Sequence, residues 1–180
     1  MKFTETPLAG AFVVEIERHT DDRGFFARTF CRHEFEAHGL DPRIAQCNIS
    51  YNEHARTLRG LHYQAAPHEE AKLVRCLTGR IYDVIVDVRP ASPTRLGWFA
   101  VTLDAALRNA LYIPAGFAHG FLTLTPDAEV LYQMSVSFAP ASARALRWND
   151  PALGIVWPAE PQVISDTDRA HALVAESGHD

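Results

Sequence analysis

Short apolar and polar alternations, broken by turn residues about every ten positions, constrain this chain more than any other feature. AFVVEIE (11–17), FFARTF (25–30), QCNISY (46–51), TLRGLHYQ (57–64) and AKLVRCL (71–77) follow one another as period-two runs. RIYDVIVDVR (80–89), WFAVTL (98–103), ALYI (110–113), HGFLTLT (119–125) and EVLYQMSVSF (129–138) continue the series. TDDRG (20–24) is a turn signal, and Thr78-Gly79 predicts a tight hairpin between the runs on either side of it. CRHEFEAHGL (31–40) reads as one or two helical turns stopped at Gly39. About ten short strands with almost no helix predict an all-β sandwich or barrel, not a doubly wound α/β fold. The rhythm fades after Arg147, so 147–168 is expected as an irregular arm packed on the barrel. Residues 169–180 are expected as a flexible tail, and 1–180 as one domain.

Composition removes several classes of function. A 180-residue chain with 47% hydrophobic residues has enough for a real core. Its formal net charge of −5 argues against nucleic acid as a partner. Cys31, Cys47 and Cys76 are an odd number at no metal-like spacing, which reads as reduced thiols. The first residues carry no signal-peptide pattern, and no apolar run approaches the ~20 residues of a membrane span. A soluble cytoplasmic protein is expected.

TLRGLHYQ carries unusual chemistry for a strand. Arg59 and His62 differ in parity, so a regular strand would send them to opposite faces. Gly60 between them marks a bulge that resets parity, and both side chains are then expected to enter the lumen. A lone strand His is more often a satisfied core residue. Here Lys72 follows in the next apolar run, where one face would carry Lys72 with Val74 and Cys76, and the other Arg75 with Leu73 and Leu77. Either choice turns a cation inward, unless the strand lies at an edge where Lys guards against aggregation. Tyr132 shares a face with Val130 and Met134, as a core tyrosine does. Asp166 and Asp168 sit in a turn or helix-cap context.

YIPAGFAHG has the P-x-G-x-x-H spacing of the second cupin signature, through Pro114, Gly116 and His119. The first signature is altered: Gln64 replaces a His ligand, and Lys72 stands where a Glu ligand belongs. An ammonium repels a divalent cation, so no metal site is expected, with His68, Glu69 and Glu70 as improvised donors in the competing metal reading.

DDRGFF (21–26), TLRGLHYQ, KLVRC (72–76), YDVIVDVR (82–89), SPT (92–94), YIPAGFAHGF (112–121), LY (131–132), RWNDPALGIVWP (147–158) and ISDTD (164–168) occur in an order that resembles the dTDP-4-dehydrorhamnose 3,5-epimerase family. The resemblance implies a cupin-type jelly roll, a homodimer with strand exchange, no cofactor, and a nucleoside-diphospho-4-keto-6-deoxyhexose substrate. It implies His62 as base, Asp168 as its orienting carboxylate, Tyr132 as acid on the opposite sugar face, and Lys72 near the keto oxygen. Arg23 and Arg59 match residues that contact the nucleotide diphosphate and sugar. Phe26, Gln46, Asn48 and His119 match further substrate-binding positions.

Two positions depart from the family. Arg28 stands where typical members carry a carboxylate that helps recognise thymine, and Phe138 where they carry a second Tyr. Both bear on nucleotide identity and on which carbons are inverted. The leading expectation is 3,5-epimerisation of dTDP-4-dehydro-6-deoxy-D-glucose. The alternatives are a C3-only or C5-only epimerase of a CDP- or GDP-sugar, a metal-dependent cupin enzyme, and a non-catalytic sugar-binding protein.

Overall fold

A computed structural model describes residues 1–176 and bears out the all-β expectation: two six-stranded sheets face each other. The strands are β1 (Lys2–Glu5), β2 (Phe12–Glu15), β3 (Arg18–Asp21), β4 (Gly24–Ala27), β5 (Gln46–Asn52), β6 (Thr57–Gln64) and β7 (Lys72–Thr78). They continue as β8 (Arg80–Asp87), β9 (Trp98–Asp104), β10 (Ala110–Ile113), β11 (Phe117–Thr123), β12 (Ala128–Met134), β13 (Ala143–Ala145) and β14 (Val163–Ile164). One sheet runs β1-β2-β10-β7-β12-β5. The other runs β13-β6-β11-β8-β9, with β14 added in parallel to β6. Among the described residues the β3–β4 hairpin pairs only with itself.

The main core fills the space between the sheets. Val74, Cys76, Leu111 and Val130 from one sheet meet Ile81, Ile85 and Phe121 from the other. Each sheet is also covered outside. Phe35 of α1 (Arg32–Ala37) packs with Leu73 and Tyr112 on one outer face. Leu146, Leu153 and Trp157 of the C-terminal arm pack on Val84 and Ala118 of the other. Strands covered on both sides lose the apolar–polar alternation, which is why every residue of β10 and β11 is buried. α1 ends as expected: Gly39 takes φ +71°, and the N–H of Leu40 donates to the Phe35 carbonyl at 3.0 Å.

The hairpin expected at Thr78-Gly79 does not form. β7 pairs with β10 and β12, while β8 pairs with β11 and β9, so Thr78-Gly79 is a corner between sheets. Gly79 is at φ +75°, and a Cβ there would lie 2.4 Å from the Thr125 hydroxyl oxygen. Two-residue turn chemistry fits either connection, and pairing partners far along the chain decide between them. Lys72 and Arg75 are both buried, one on each face of β7, because β7 is central. Arg75 donates to the Thr29 carbonyl at 2.7 Å, and burial lowers its pKa. The arm over 147–168 runs irregularly to β14 and then α2 (Asp166–Arg169). Of the expected tail, 177–180 lie outside the described residues; the N–H of Val174 donates to the Asp150 carboxylate at 2.6 Å.

The bulge on β6 is real. Opposite β11, Arg59 pairs with Phe121 and His62 with His119, so three steps on β6 match two on β11. Gly60 has φ +117°, and a Cβ on it would lie 2.5 Å from the Gly120 Cα. Gly60→Ala should therefore destabilise the fold by about 3 kcal/mol, as a forced overpacking against backbone does. Denaturant unfolding of the variant checks this; a loss below about 1 kcal/mol would mean that β6 and β11 can part at little cost.

Candidate active site

A cavity of about 750 Å³ opens between the sheets, with Arg59, His62, Lys72, His119, Tyr132 and Asp168 on its walls. Asn48 and Phe138 line it as well. The bulge brings Arg59 and His62 to the same cavity despite their parity. Arg59 is oriented by its Nε, which donates to Asn52 Oδ1 at 2.7 Å.

His62 and Asp168 are 106 positions apart and meet at 2.6 Å, imidazole Nε2 to carboxylate Oδ1. The meeting depends on α2. Its N-cap Ser165 accepts the Asp168 N–H at 3.0 Å, and β14 anchors the preceding residues along β6. The Asp168 side chain is 8% exposed and that of His62 52%, so a buried carboxylate holds a ring that faces the cavity. Burial works to raise the Asp168 pKa. The hydrogen bond and charge of His62, with a long contact from the Gly60 N–H at 3.4 Å, outweigh burial and hold it below its usual value.

The opposite wall belongs to the other sheet. Tyr132 of β12 shares a 3.1 Å hydrogen bond with the Ser50 hydroxyl of β5. Burial pushes the phenol pKa up, against the opposing effect of Ser50, so the hydroxyl keeps its proton at neutral pH. Lys72 bridges the two sheets: its Nζ lies 2.9 Å from Glu70 Oε1 and donates to the His62 carbonyl at 3.2 Å. Behind these groups His119 Nε2 lies 2.7 Å from Asp83 Oδ1. Burial raises the Asp83 pKa, and the charge and hydrogen bond of His119 oppose it.

The other residues named from the sequence lie elsewhere. Gln46 stands beside the cavity and accepts the Phe138 N–H at 3.0 Å. Arg23, 90% exposed, pairs with Asp21 at the tip of the β3–β4 hairpin. Phe26 on that hairpin is 78% exposed. Arg28 follows the hairpin and pairs with Glu34 at 2.7 Å. None of these four lines the cavity within a single chain. Sequence reasoning missed Ser50 and Asp83, and weighed Glu70 only as a metal donor. The signal for Glu70 was its spacing of two from Lys72, which puts both on one side of an extended segment.

The donors that a metal cupin would use do not fit a metal here. The Gln64 amide is spent on the His68 carbonyl and the Ala139 N–H, Lys72 is paired with Glu70, and His119 is held by Asp83. His68 turns to Ser142 at 3.0 Å, so His68, Glu69 and Glu70 do not converge.

A family model for dTDP-4-dehydrorhamnose 3,5-epimerase matches residues 5–176. The dTDP-4-dehydrorhamnose 3,5-epimerase of Shigella flexneri is 38% identical over 169 residues, covering 93% of each chain. The crystal structure of the corresponding Bacillus anthracis enzyme, with TDP and PPi bound, superposes with a TM-score of 0.92 at 39% identity, covering 96% of this chain and 99% of that one. A 3'-monoepimerase from Streptomyces bikiniensis in complex with dTDP-quinovose superposes at 0.86 with 38% identity, covering 94% and 86%.

Two outcomes follow from this geometry. The Asp168 pKa is depressed, so its support of the fold and of His62 is complete above the ordinary carboxylate value of ~3.9 and is lost as pH falls through the lowered folded value. Asp168→Asn should keep the fold at pH 7 and lower kcat by roughly 10²–10⁴; steady-state kinetics over pH 6–9 check this, and an unchanged kcat would dismiss the dyad. Glu70→Ala leaves the buried Lys72 ammonium without its carboxylate and should cost about 3 kcal/mol in urea unfolding.

Proposed function

The chain belongs to the dTDP-4-dehydrorhamnose 3,5-epimerase family, and we propose that His62 and Tyr132 carry out its epimerisation from opposite faces of the sugar. It is an isomerase, and the substrate that best fits is dTDP-4-dehydro-6-deoxy-D-glucose, inverted at C3 and C5. The observation that carries this reading is the arrangement of the walls. An imidazole backed by a carboxylate projects from one sheet, and a protonated phenol from the other, into one cavity.

Removal of a proton α to a ketone needs a base in reach and stabilisation of the enolate oxygen. His62 takes the proton at the nitrogen that Asp168 leaves free, and Asp168 stabilises the imidazolium that results. Lys72, fixed by Glu70 and the His62 carbonyl, supplies positive charge for the enolate oxygen. Tyr132 returns a proton from the other face, and the configuration inverts. Arg59 suits the diphosphate, which a guanidinium grips in charge-assisted hydrogen bonds. No step needs a metal or a cofactor.

Arg23, Phe26 and Arg28 act on this reading in a homodimer. The β3–β4 hairpin is exposed and pairs with no other strand among the described residues, as suits an arm that completes a partner's cavity. The substrate is a water-soluble nucleotide sugar, which suits the cytoplasm, and no helix among the described residues is long and apolar enough to cross a membrane.

Phe138 lines the cavity without a hydroxyl, so the cavity has one proton donor fewer, which favours inversion at a single carbon, C3 or C5, as the second reading. Proton NMR in deuterated water with dTDP-4-dehydro-6-deoxyglucose separates the two. Deuterium at C3 and C5 is the expected result; deuterium at one of the two carbons alone selects the monoepimerase, and at neither would reject this substrate. His62→Asn should abolish exchange and keep nucleotide-sugar binding. Tyr132→Phe should retain exchange while inversion falls by roughly 10²–10⁴, which distinguishes the acid from the base.

A further inference from the structure

The wall that holds the base carries one group the epimerisation does not use. His171 lies one turn beyond Asp168, and its Nε2 is 3.5 Å from the Asp168 Oδ1 that also meets His62. That nitrogen is buried and has no hydrogen-bond partner among the described residues. The two imidazole rings stand edge to face with centroids 6.1 Å apart. One ring nitrogen of each histidine and a carboxylate oxygen of Asp168 all lie within 4.8 Å of one another.

From this convergence we propose that His62, Asp168 and His171 form an inhibitory zinc site. Two imidazoles and a carboxylate make a zinc donor set, and ligand bonds of about 2.0–2.2 Å put tetrahedral donors roughly 3.4 Å apart. The spacing of His171 to Asp168 already matches; His62 has to withdraw from Asp168 by under ~1 Å. All three residues border the cavity, so the fourth position opens on it and takes water. The site differs from the cupin metal position, since Asp168 and His171 come from the C-terminal arm.

Occupation stops catalysis for a definite reason. Zinc on His62 Nε2 displaces the proton held there, and the neutral ring then carries its proton on Nδ1. A ring in that state has no lone pair to accept the sugar proton. Zinc therefore acts as a reversible inhibitor that competes with the working tautomer of the base. The inhibition, though not the site, rests on His62 as base.

The test uses the full-length, tag-free enzyme. Zinc titrated by calorimetry should bind at one ion per chain, cobalt should give the visible absorption of a tetrahedral complex, and turnover should fall with zinc and return on chelation. His171→Ala should raise the zinc needed for half-inhibition at least tenfold, read as the ratio of activity with and without zinc so that any change in basal rate cancels. Millimolar magnesium should do nothing, since it prefers oxygen donors. Equal zinc sensitivity in His171→Ala, equal inhibition by magnesium, or no saturable binding would each overturn the proposal. Saturable binding that depends on His171 but leaves turnover intact would uphold the site and instead remove His62 from the role of base.

Discussion

The close approach of β6 to β11 at Gly60 and Gly120 is the constraint on which the site depends. Side chains of paired strands normally project above and below their sheet, but here a Cβ on Gly60 would run into the Gly120 backbone. That contact accommodates an extra residue in β6. The extra residue turns Arg59 and His62 to one cavity, and it brings the Gly60 N–H within 3.4 Å of Asp168. Without it, the cation and the imidazole would fall on opposite faces of the sheet, and Asp168 would lose a contact that supports its ionised form.

The interior tolerates an unusual density of ionisable groups because nearly all are matched. Lys72 has Glu70, His62 has Asp168, and His119 has Asp83. Each pair is close enough for hydrogen bonding, which offsets the cost of burial; Arg75, held among the described residues only by the Thr29 carbonyl, is the cation that shows that cost in a lowered pKa. The other exceptions are single atoms. Among the described residues Glu70 Oε2, Asp83 Oδ2 and His171 Nε2 are buried without hydrogen-bond partners. Glu70 lines the cavity, where a bound sugar brings the hydroxyl donors that such an oxygen lacks.

The strand content and the bulge were legible in the sequence because both are local. TLRGLHYQ became β6 residue for residue, and ALYI became β10. The Thr78-Gly79 corner was not legible, because a tight turn looks the same whether it joins neighbours in one sheet or crosses to another. Pairing is decided by strands far along the chain, and it made β7 central and buried both Lys72 and Arg75. The Asp168 contact was reachable only through family resemblance. Nothing local in ISDTD points to a histidine 106 positions earlier. The hairpin residues Arg23 and Phe26 are equally opaque to single-chain geometry, since neither lines the cavity that holds His62 and Tyr132.

The arm that delivers Asp168 also sets when the molecule can become active. Both sheets, apart from the short β14, and the Gly60–Gly120 contact are complete within the first 145 residues. A chain of that length carries nearly all the strands, but one sheet lacks the cover of Leu153 and Trp157, and the cavity lacks the wall from Asp168 and His171. Its imidazole has no carboxylate until residue 168 follows, so activity is the last property the growing chain acquires. By the same logic, a protease that trims the arm beyond β13 would remove both the carboxylate behind His62 and the apolar cover of one sheet.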